Sequence, residues 1–167
     1  MSDDDVYSQD ILVWSERQAE LLRRVARGER VNGVDWDHVI EEIEDVGSSE
    51  LHSVQSLLGH GMVHLLKSAA WPNAQPREHW RSEVTGFLVD VERRFTPSMR
   101  QKIDLEREYC RAMKQVRTTT IDGRPPGPLP ERCPFTLDAL LAADRDELEA
   151  QLDAALNASG QEPTHAA

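Results

Sequence analysis

The sequence predicts an all-α fold: a single antiparallel bundle of about five helices, followed by a proline-rich loop and short C-terminal helices. Three observations carry that expectation. Apolar residues recur at the 3.6-residue period of a helix face along most of the chain, and strand-like alternation is nearly absent. Proline falls in the joints between the periodic runs. A length of 167 residues with 39% apolar composition is one core's worth.

The elements follow in order. Residues 10–26 place Ile11, Trp14, Leu21, Leu22 and Val25 on one side, with Gln18 as the break in the stripe. Gly28 and Gly33 mark a turn, and Asp35 can cap a second helix whose stripe is Trp36, Val39, Ile40, Ile43 and Val46. Gly47 is expected to stop it and Ser48-Ser49 to cap a long third helix to residue 70, with Leu51, Val54, Leu58, Met62 and Leu65 as its stripe. Trp71-Pro72 and Pro76 frame a turn before a fourth helix carrying Trp80, Val84, Phe87, Leu88, Val91 and Phe95. Thr96-Pro97 ends that helix and opens a fifth, since proline is tolerated at a first helical position. The fifth carries Met99, Ile103, Tyr109, Cys110, Met113 and Val116. Five prolines and two glycines between residues 118 and 134 preclude regular structure. Arg124 to Pro130 then reads as a stiff tether or, alternatively, a polyproline ligand. Short helices are expected over 137–143, behind a Thr136 cap, and over 146–156. In domain terms, residues 1–6 are expected to be a disordered acidic N-terminus, 7–143 the bundle, 144–157 a helical extension and 158–167 a disordered tail.

Charge narrows the partners. Thirty Asp and Glu against 19 Lys and Arg give a net charge of −11. That field repels phosphate backbones and anionic lipid, so neither nucleic acid nor a membrane surface is an expected partner. The opening Met1-Ser2-Asp3-Asp4-Asp5 is acidic where a secretory signal is basic, and no apolar run approaches the ~20 residues of a membrane span. With only two cysteines, Cys110 and Cys133, a cytoplasmic chain is expected.

A few polar residues edge the apolar stripes. Glu42 and Glu44 flank the second helix's stripe on opposite sides, while Glu41 and Asp45 face away. His60 and His64 form an i, i+4 pair on the long helix. Glu106 falls on the same face as Met99, Ile103, Cys110 and Met113, and a carboxylate in an apolar stripe needs a partner or a proton. Two histidines at i, i+4 can bind one transition-metal ion, with carboxylates from facing helices completing the shell. His64, His60, Glu42, Glu44 and Glu106 are therefore the candidate metal ligands. The pattern lacks the Glu-x-x-His of di-metal bundles, and His60-Gly61-Met62-Val63-His64 lacks the general-base glutamate of zinc proteases. The favoured reading pairs His64 with Glu106 at the core's edge.

Several motifs together resemble the bacterial family catalogued as domain of unknown function 29. They are Tyr7-Ser8-Gln9-Asp10 with Trp14; Ile40 to Gly47, Ile-Glu-Glu-Ile-Glu-Asp-Val-Gly, followed by Ser49-Glu50; and His64-Leu65-Leu66-Lys67. Trp80, Thr96-Pro97-Ser98-Met99-Arg100, Glu106 with Tyr109, and Cys133-Pro134-Phe135-Thr136 complete the set. The resemblance implies an all-helical fold and no established activity, and it places His64, Glu42, Glu44 and Glu106 at family motif positions. Two features depart from the family: Ser68-Ala69-Ala70 separates Leu-Leu-Lys from Trp71, and the chain continues beyond about residue 144. The acidic surface and proline-rich arm favour a protein that acts through a protein partner or as a homo-oligomer. The alternative is a metal-dependent enzyme, hydrolytic or redox, at the His/Glu cluster.

Overall fold

Side-chain caps open several of the helices. The computed structural model describes residues 3–159. Among these, seven α-helices and one 3-10 turn form, with an isolated bridge between Ile121 and Arg124 in place of any strand, so the chain is all-α. It divides into two compact units, Met1–Ser49 and Glu50–Ala167, where one was expected.

The first unit contains α1 (Asp3–Gln9), α2 (Ile11–Ala26) and the start of α3 (Trp36–Ala70). Residues 3–6 are helical rather than irregular. The Asp10 carboxylate accepts the Val13 N–H and caps α2. Gly28, at φ +80°, ends it: the Gly28 N–H donates to Val25 O and the Glu29 N–H to Arg24 O. The two helices expected over 35–70 are one. Gly47 does not break α3, because an interior glycine costs only about 1 kcal/mol relative to alanine, less than a new terminus with its unpaired backbone groups.

The second unit packs the rest of α3 with α4 (Arg77–Arg94), a 3-10 turn at Pro97–Met99, α5 (Leu105–Arg117), α6 (Leu137–Leu141) and α7 (Arg145–Ser159). Leu58, Met62, Leu66, Val84, Leu88 and Tyr109 are fully buried in its core, and Trp71 and Trp80 close one end. Expected as an extension, α7 instead sends Leu148 and Leu152 into this core. The expected tail begins within α7, and residues 160–167 lie outside the described residues. Arg81 ties α4 to α7 through Glu149 at 2.7 Å.

The proline-rich segment forms the tether. The Trp71 indole N–H donates to Arg124 O, the Gly127 N–H to Ala70 O, and the buried Tyr109 hydroxyl to Pro130 O at 2.6 Å. A Cβ on Gly127 would meet Ala70 O at 3.0 Å, so backbone must move to admit one. Gly127→Ala is therefore expected to lower unfolding free energy by about 1–3 kcal/mol, the usual cost of overpacking, measured by urea denaturation.

Candidate functional site

Asp35 organises the first unit. It stands at the N-terminus of α3, where its carboxylate accepts the Trp14 indole N–H at 3.1 Å and contacts His38 Nδ1 at 2.8 Å. Its own N–H donates to Gln18 Oε1 at 3.0 Å. Burial pushes the Asp35 carboxyl up, but the hydrogen bonds from His38 and Trp14 outweigh it and leave the group below its ordinary value. Tyr7 stacks on His38 with ring centroids 3.9 Å apart, and its hydroxyl donates to Glu42 Oε1 at 2.9 Å. These bonds tie α1 and α2 to α3. Gln18, the break in the α2 stripe, is buried here because it serves the α3 cap.

The apolar stripes of this unit are largely bare. Among the described residues Trp14 and Val39 are buried, but Ile11, Leu12, Val13, Val25, Trp36, Ile40, Ile43 and Val46 stand 36–67% exposed. Every large apolar side chain at that level of exposure lies in this unit; the second unit has none among its described residues. The expected burial of the Trp36, Ile40, Ile43 and Val46 stripe is thus corrected.

The proposed metal ligands find separate partners. Glu42 accepts from Tyr7, and Glu44 is exposed; both belong to the first unit. In the second unit His64 faces Glu83 of α4, Nδ1 to Oε2 2.9 Å, and not Glu106. That approach lacks hydrogen-bond geometry, so the contact is electrostatic and Nδ1 has no hydrogen-bond partner. His79 Nε2 lies 3.4 Å from the same oxygen, while the exposed His60 ring packs on Phe87. Glu106 is exposed, and its carboxylate accepts the Cys133 N–H at 3.2 Å. The carboxylate that α5 buries is Glu108, paired with Arg111 at 2.9 Å, which sequence reasoning missed. Among the described residues no group of three or more His, Cys, Asp or Glu is arranged to hold a metal ion. Burial pushes the Cys133 thiol up to about 11, so it is protonated and a poor nucleophile at neutral pH.

Burial depresses the His64 pKa below its ordinary 6.5, against the opposing pull of Glu83. A base whose folded pKa is lowered stabilises the fold above its unfolded pKa and loses that contribution as pH falls through the window below 6.5. Unfolding free energy of the second unit should therefore drop between pH 7 and pH 5, and His64→Gln should flatten that slope. An unchanged slope in the variant would contradict this account.

A family model described as "Domain of unknown function DUF29" matches residues 6–145. The chain is similar to a crystal structure of an alpha-helical protein of unknown function from Rhodospirillum rubrum, at 33% identity and a TM-score of 0.65. The match covers 87% of this chain and 96% of that one. No curated protein matches. Among the described residues no helix is long and apolar enough to cross a membrane.

Proposed function

The chain belongs to the family described as domain of unknown function DUF29, and from the geometry of its first unit we propose that it acts through protein–protein contact, with the first unit as the docking module. The observation that carries this reading is the contrast in burial within one chain. The second unit hides its large apolar side chains, whereas the first exposes eight of them around a fixed polar network. Leaving such side chains in water forgoes about 1.5–3 kcal/mol for each one that a partner could fully bury. A unit this small also has little core of its own to sustain it.

Site-directed photo-crosslinking in the native cell tests the reading. A benzophenone side chain at position 43 should give protein adducts, and one at position 92, exposed on α4, should not. Adducts at neither position, or equally at both, would overturn it.

A further inference from the structure

We propose that the bare stripe on α3 seats a cationic amphipathic helix of a partner protein; this rests on the interaction reading above and adds the partner's chemistry. The stripe has the form of a helix-packing face. Trp36, Ile40, Ile43 and Val46 span three turns, about 15 Å. The stripe's steps of four, three and three residues are those of one helix face. An occupant with i, i+3, i+4 and i+7 apolar anchors would match it, as in helix-in-groove recognition.

The rims set the sign of the partner. Asp37 and Glu44 border the stripe on one side and Glu42 on the other, with Glu41 and Asp45 behind. Arg24 and Arg27 pair with Glu29, away from these borders. Residues 1–49 hold thirteen Asp and Glu against five arginines, so −8 of the chain's −11 sits in this unit. The phenol of Tyr7, pushed up to about 12 first by its hydrogen bond to Glu42, then by burial and the charges of Glu42, Glu41 and Asp45, registers that field. A second copy would bring acidic rim against acidic rim, a like-charge juxtaposition that disfavours the contact. A lysine- or arginine-rimmed helix satisfies both the stripe and its borders.

Titration of the full chain with an 18-residue lysine/leucine amphipathic peptide, alongside its glutamate/leucine counterpart, tests the proposal. The readouts are the emission of Trp36, assigned by its loss in Trp36→Phe, and sedimentation equilibrium of the chain alone. The cationic peptide should bind and blue-shift the emission, and the anionic one should not. Ile40→Ser/Ile43→Ser and Asp37→Asn/Glu44→Gln should each weaken binding by about tenfold or more, equivalent to about 1.4 kcal/mol. All four positions are exposed, so both variants should retain the parent's helical circular dichroism. Equal binding of the two peptides, or an affinity unmoved by Asp37→Asn/Glu44→Gln, overturns the proposal. If neither peptide binds and the chain is a dimer that Ile40→Ser/Ile43→Ser makes monomeric, the occupant is a second copy: the proposal falls and the interaction reading stands. If neither binds and the chain is monomeric, both fall.

Discussion

Leu88→Ala is expected to lower the unfolding free energy of the second unit by about 2–5 kcal/mol, the range for truncating a buried leucine. Leu88 is fully buried against α3, where a Cβ on Gly61 would lie 3.3 Å from its Cδ2. The absence of a side chain at 61 lets Leu88 reach the α3 backbone, and truncation leaves a cavity that two long helices cannot easily close. A loss of this size should lower the thermal midpoint by roughly 10 °C. Ile43→Ala, with Ile43 67% exposed, should shift stability by less than about 0.5 kcal/mol. Comparable losses for the two would mean that the burial contrast between the units is wrong.

Asp35→Ala should have a comparable cost, confined to the first unit. It removes the cap of α3 and leaves the Trp14 indole and His38 without their shared acceptor. A lost cap and one stranded buried donor together amount to about 3 kcal/mol, a large share of what so small a unit can hold. Amide hydrogen exchange should then show residues 11–46 losing protection while the cores of α4 and α5 keep theirs. The depressed Asp35 pKa adds an acid signature. Its contribution is present above the ordinary aspartate value and is lost as pH falls through the lowered one, so the parent's first unit should lose this stabilisation only in strong acid, below the ordinary aspartate range. Uniform loss of protection along the chain would contradict this division of labour.

Much of the fold was legible because it is written locally. Asp35 and Thr136 cap the helices they were expected to cap, and the Val84, Leu88 and Val91 stripe is buried as its spacing implied. Two errors have a shared cause, the register between neighbouring segments. Starting the fifth helix at Pro97 put Glu106 on the apolar face. The chain instead makes a 3-10 turn and an extended step, then restarts at the Asp104 cap, which turns Glu106 outward and Glu108 and Tyr109 inward. The partner of His64 depends on how α4 is rotated against α3, which no local pattern records. Periodicity also cannot tell a stripe already covered from one awaiting a partner, so Trp36, Ile40, Ile43 and Val46 read as core. The Asp35, Trp14 and His38 network was missed because its members are spread across 25 residues and each reads alone as a cap, a core aromatic and a surface histidine. The aspartate and histidine three apart at a helix start were the available signal.

The five isoleucines divide the chain conveniently: Ile11, Ile40 and Ile43 lie in the first unit, Ile103 and Ile121 in the second. Selective labelling of their δ1 methyl groups, with spectra recorded as the lysine/leucine peptide is added, tests the docking face most directly. The Ile40 and Ile43 resonances should move and saturate together while Ile103 and Ile121 stay in place. Stationary Ile40 and Ile43 signals, or movement spread equally to Ile103 and Ile121, would contradict the assignment of the α3 stripe as the place where a partner binds.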